Sequence, residues 1–183
     1  MKKEYSLERL DLKALAQAGD ELAGQAPISQ FARLVEESAP GSPLSHEVRW
    51  TALGEARPVT GGDDQVWLHL QAETTLTQVC QRCLGPVDTG LWVDRSFRFV
   101  KDESVAEAED DESEEDVLAL SREFNLLELI EDELLMELPV VPRHEECPEE
   151  VPMAVEDEDY QAAEAEKPNP FAALAKLKKG GLG

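Results

Sequence analysis

Two short-spaced residue pairs carry the types best suited to chemistry: Cys80 and Cys83 in the stretch VCQRCLGPV, and His144 and Cys147 in HEEC. Thiolates and imidazoles hold zinc. Two residues between ligands let both donors of a pair point the same way from one tight turn. Together the four make a three-cysteine, one-histidine set, complete for a tetrahedral structural zinc. Gly85, two residues past the second cysteine, gives the first pair the outline of a knuckle between strands. A redox pair fits less well, because such cysteines sit at a helix N-terminus and no helix is expected after Cys83. The plain alternative is a hairpin with free thiols at 80–83 and a solvated linker at 144–147. The second pair lies in an acidic, proline-marked stretch without a turn glycine of its own. On the residues alone, the plain hairpin stands ahead of the metal.

Other chemistry finds less support. No glycine-rich phosphate loop or Ser-His-Asp set stands out, and His46 and His69 stand alone on strand-like runs. Among 40 acidic residues any carboxylate spacing occurs by chance. The expectation is a chain that is not an enzyme and takes no small-molecule substrate.

The elements that must position the two pairs follow from periodicity. Asp11 and Gly19 bracket a short helix as N-cap and stop. In residues 28–37, Ile28, Phe31, Leu34 and Val35 fall on one helical face. From about 45 the period changes to two, and strands are expected over 45–53, 65–80 and 87–100, with one apolar face each. The run DVLAL at 116–120 suits a fourth strand. Asn125 caps the clearest helix, over 125–138, with Leu127, Ile130 and Leu134 inward and Pro139 as its end. The fold class is therefore α+β, a small antiparallel sheet packed by a few helices. A single domain is expected over 1–150, with residues 101–116 inserted as an acidic loop and 151–183 as a flexible tail.

Charge is segregated. Residues 101–166 hold 26 acids against three bases, residues 1–100 are nearly neutral, and the last 17 residues hold four lysines and no acid. Segments 102–115 and 152–166 are expected to be mobile, since ordering like-charged chain costs about 1–2 kcal/mol per residue with little burial to offset it. No signal peptide or membrane span is expected, and an odd cysteine count without an export signal argues for a reducing, cytoplasmic setting.

Three stretches are specific together: CQRCLGPV between strands, LIEDELLMELPVVPRH joining a helix to an extended segment, and KPNPFAALAKLKK near the C-terminus. In this order and rough spacing they resemble the YceD family, the large ribosomal RNA subunit accumulation proteins of bacteria and plastids. The resemblance implies a cytoplasmic factor in ribosome biogenesis, needed for synthesis, processing or accumulation of large-subunit (23S) ribosomal RNA, with no catalytic residues to carry over. Many relatives of Gram-positive type carry a second cysteine pair after the long helix, about where HEEC stands, and this raises the zinc reading for Cys80, Cys83, His144 and Cys147. Two mechanisms are then open. The protein contacts large-subunit ribosomal RNA or a pre-ribosomal particle, or it is an acidic chaperone-like partner of a basic ribosomal protein. Arg82 and Arg98, with Trp92, are the sheet residues expected to meet RNA, though Arg95 falls in phase with the apolar face. In the tail, Phe171, Leu174 and Leu177 make a stripe flanked by Lys176, Lys178 and Lys179, suited to docking on a ribosomal partner.

Overall fold

The computed structural model describes residues 5–110, 113, 115–121 and 124–148. The chain divides into two units, Met1–Cys147 and Pro148–Gly183. The first is a five-stranded open sheet with its core-covering helices packed on one face. Its elements in chain order are α1 (Leu12–Ala18), β1 (Glu21–Pro27), a 3-10 turn (Ile28–Gln30), α2 (Ala32–Glu36), β2 (Glu47–Arg57), β3 (Gln65–Val79), β4 (Pro86–Val100), α3 (Glu103–Asp110), β5 (Asp116–Ala119) and α4 (Leu126–Met136). Strand order follows chain order, antiparallel from β1 to β4, with β5 added parallel to β4.

The alternation seen in the sequence sets the two faces. Val48, Trp50 and Ala52 on β2, Val66, Leu68, Leu70, Ala72 and Leu76 on β3, and Leu91, Val93, Phe97 and Phe99 on β4 all point to one buried side. The helices close that side. Asp11 caps α1 by accepting from the Ala14 N–H at 2.9 Å, and Gly19 ends it at φ 64°. Helix α1 lies so close on β2 that a Cβ at Gly54 would meet the Leu15 side chain at 2.7 Å and the Ala16 backbone at 2.8 Å. Asn125 caps α4 as its sequence suggests, accepting from the Leu127 and Glu128 N–H groups. The buried stripe is Leu126, Ile130 and Leu134, with Leu127 only half-buried, so the inward face is rotated by one residue from the expected one.

Helix α2 has no capping side chain of its own. Its orphan N–H groups at Arg33 and Leu34 donate instead to Glu131 Oε1 of α4, at 2.8 and 3.3 Å. The Arg33 guanidinium clasps Glu131 and Asp132. A carboxylate at a helix N-terminus is favoured by the local dipole, and here it ties two helices together.

Three expectations are corrected. Strand β1 was not expected: ELAGQAP is short, holds glycine and proline, and shows little apolar alternation, as suits an edge strand. The parallel β5 makes the sheet mixed. Finally, the acidic insert at 101–116 is not simply a loop, for it forms α3, with Ala106 buried. The cause is Arg98, nearly buried on the sheet's outer face. It donates to Glu109 at 2.6 Å, Glu115 at 3.0 Å and Ser113 Oγ at 2.9 Å, relieving the repulsion that like-charged chain would suffer. The segment 152–166 lies outside the described residues. No described helix is long and apolar enough to cross a membrane.

Candidate metal centre

The first ligand pair sits where β3 turns into β4. Inside the turn, the Cys80 N–H donates to the Gly85 carbonyl and the Leu84 N–H to the Cys80 carbonyl, both at 2.8 Å. The left-handed residue that makes the turn tight is Leu84 (φ 62°), not Gly85. For a leucine this conformation carries a cost, which a glycine would avoid. The second pair reaches the knuckle because Pro139 stops α4 and the chain runs back in extended form. The Gln81 N–H donates to the Pro142 carbonyl at 2.8 Å and fixes that return.

The two pairs meet. Sγ of Cys80 lies 3.9 Å from Sγ of Cys147, and Sγ of Cys83 lies 3.4 Å from Nδ1 of His144. All four ligand atoms fall within 4.8 Å of one another. With metal bonds of about 2.3 Å to sulfur and 2.05 Å to nitrogen, a tetrahedral zinc places two sulfurs about 3.8 Å apart and sulfur and nitrogen about 3.5 Å apart. These two separations match that geometry within about 0.2 Å. Residues 144–147 are therefore not a solvated linker but lie against the turn at 80–83. The set fits a metal, and four protein donors leave no open coordination position, as in a structural site.

Arg82 completes the arrangement. Its Nε donates to Cys147 Sγ at 3.0 Å, and its Nη2 to the carbonyls of His144 and Glu145 at 3.2 Å each. Three thiolates around a divalent cation leave a net negative charge, and this guanidinium lies against it. The electrostatics favour ionisation of Cys80 and oppose that of Cys83. Burial pushes the Cys80 thiol up, but backbone N–H groups of Cys83, His144 and Arg82 outweigh it and hold the thiol down to about 5. The Cys83 thiol is raised. The Gly85 N–H opposes this, but burial and the neighbouring sulfurs prevail. Apposition to Cys147 raises Arg82, which stays cationic.

Other expected site residues are placed differently. Arg82 and Arg98 do not form an open cationic patch with Trp92, since Arg82 is engaged by the second ligand pair and Arg98 by the acids of 109–115. Arg95 turns to the helix side and pairs with Asp116 at 2.8 Å and Glu133 at 3.3 Å. His69 does not stand alone. Its Nδ1 lies 2.7 Å from Ser96 Oγ and its Nε2 2.7 Å from Glu55 Oε2, while Arg57 stacks on Trp67 beside it. The register places Ser96 directly opposite His69, with Glu55 diagonal to it, opposite Trp67. His46 Nδ1 bonds the Thr75 carbonyl at 2.7 Å. Phe171, Leu174, Leu177, Lys176, Lys178 and Lys179 lie outside the described residues.

The family described as large ribosomal RNA subunit accumulation protein YceD matches residues 68–178. The chain belongs to that family. The match begins within β3 and takes in the knuckle, α4 and the second ligand pair, so both halves of the centre lie inside the YceD region. The family's description ties the chain to accumulation of large-subunit ribosomal RNA. No solved structure matches it.

Proposed function

We propose that this chain is a non-catalytic, cytoplasmic factor in large-subunit ribosomal RNA accumulation that acts by holding a basic protein of the assembling subunit. Its α+β body is closed by one structural zinc on Cys80, Cys83, His144 and Cys147. The zinc fixes the turn between β3 and β4 against the exit of α4 and takes no part in a reaction.

The observation that carries a protein partner rather than direct RNA contact is the pairing of the arginines. Arg33, Arg49, Arg57, Arg95 and Arg98 each lie against a carboxylate of their own chain. Guanidinium groups engaged in this way offer little to phosphate, whose capture drives RNA affinity. The net charge of −23 repels RNA at a distance and attracts a basic protein.

Capture of the tagged full chain from cells, with and without ribonuclease during lysis, tests the reading. A basic ribosomal protein retained after ribonuclease is the expected result. Purified protein binding large-subunit RNA at moderate salt, with no protein retained, would overturn it in favour of direct RNA contact.

A further inference from the structure

The sheet ends at β1, and among the described residues no strand pairs beyond it. Two hydrogen bonds bracket the β1–β2 ladder: Gly54 N–H to the Asp20 carbonyl at 3.1 Å, and Ile28 N–H to the His46 carbonyl at 2.9 Å. With the antiparallel register, they set its phase, so Leu22, Gly24 and Ala26 turn their backbone groups to β2. Glu21, Ala23 and Gln25 turn theirs outward. That row is a template for another strand.

Beside this edge the core layer is open. A groove of about 1060 Å³ runs beside β1, lined by Tyr5 and Leu7 of the N-terminal segment, Leu127 of α4, Leu22 and Trp50. The Trp50 ring lies flat across Gly24, where a Cβ would meet it at 2.5 Å. The opposite face of the edge is acidic and polar: Glu21 is exposed, and Gln25 bonds Glu47 at 3.4 Å. An incoming strand would thus place alternate side chains in a groove that presents Leu22, Trp50 and Leu127, and beside carboxylates.

We propose that the β1 edge and this groove form a docking site for an extended, lysine- or arginine-rich segment of a protein partner, added to the sheet as a further strand. Main-chain bonds to Glu21, Ala23 and Gln25 supply affinity, and the alternation of apolar and basic side chains supplies selection. The charge of −23 argues against a second copy as the occupant, and Pro27 blocks extension of the edge. The inference rests on the reading of the chain as the holder of a basic protein, and names where that protein is held.

The probe is a synthetic ten-residue peptide of alternating valine and lysine, titrated into the full-length protein, with amide hydrogen exchange followed residue by residue. Binding that slows exchange at Glu21, Ala23 and Gln25 is expected. Ala23→Pro deletes an outward donor without touching a bond to β2, and at least a tenfold loss of affinity is expected. Glu21→Lys, at an exposed position that leaves the fold intact, is expected to weaken binding in the same direction. Protection mapped away from β1 overturns the proposal. So does unchanged peptide binding by Glu21→Lys and a folded Ala23→Pro, or slow exchange at these amides caused by self-association of the free chain. Capture from cells separates the two ideas. A basic partner held equally by wild type and Ala23→Pro overturns the groove and spares the function. Peptide protection on β1 with no basic partner captured overturns the function and spares the groove.

Discussion

Cys147 shows how much one side chain controls. Its sulfur faces Cys80 at 3.9 Å and takes a hydrogen bond from Arg82, so Cys147→Ser removes both a ligand and the anchor of that arginine. Protein purified without chelator is expected to hold about one zinc per chain. Cys147→Ser is expected to lose it and to melt on the order of 10 °C lower. Metal analysis of the wild type finding well under one zinc would contradict the centre. Glu133 makes the opposite case. It is nearly buried on α4, and burial raises its pKa above 4.5, with Arg95 opposing and Asp116 adding to the rise. A carboxyl whose pKa is raised by folding binds its proton more tightly in the native state. Its penalty is absent below about 4.5, grows as pH climbs toward the folded value, and is complete above it. Glu133→Gln is therefore expected to match or exceed wild-type stability at pH 7, while the difference disappears near pH 4. Arg95 keeps Asp116 as its partner in that variant. Thermal melts at the two pH values read the effect, and a variant clearly weaker at pH 7 would show the ion pair outweighing the burial.

At the scale of elements, Gly54 joins β2 to α1 with no room for a methyl group. A methyl group there would press on the α1 backbone, not on a flexible side-chain end, so the helix must move. Gly54→Ala is expected to cost about 2–3 kcal/mol in denaturant unfolding, and a change under 0.5 kcal/mol would mean that α1 shifts freely. Much of this layer was legible in the sequence because period two is a strong signal where one face is buried. Val66 to Leu76 and Leu91 to Phe99 fell on the core side as their spacing required. Strand β1 was hidden because its inward residues are Leu22, Gly24 and Ala26, too small and too few to mark a face. Helix α3 was hidden for another reason. Its stability comes from Arg98, which contacts Glu109 and Glu115 from another element, a long-range pairing that no local pattern encodes. The metal ligands were legible as two pairs, but their meeting depended on the path after Pro139, which composition alone suggested was solvated.

For the whole molecule, the centre acts as a clasp between distant parts of the chain. Cys83 and His144 are 61 positions apart, and a covalent link closing a loop of that size removes unfolded-state entropy worth about 4 kcal/mol. A tightly held metal acts in the same sense, stabilising the sheet, α4 and the knuckle as one unit. Around that unit the charge is lopsided, with a net of −23 over residues 101–166 and a near-neutral first hundred. A partner approaching from solution feels the field of that segment before it reaches any groove. Raising the ionic strength from ~0.1 to ~1 M shortens the screening length from about 10 to 3 Å. Association with a basic partner is therefore expected to slow by at least tenfold over that range, while dissociation changes much less, because main-chain bonds and apolar contacts hold the docked segment. Stopped-flow mixing of the full chain with the captured partner measures both rates. If the salt effect instead falls mainly on dissociation, the acidic segment grips the partner directly, and its role is that of a binding surface more than an attractor.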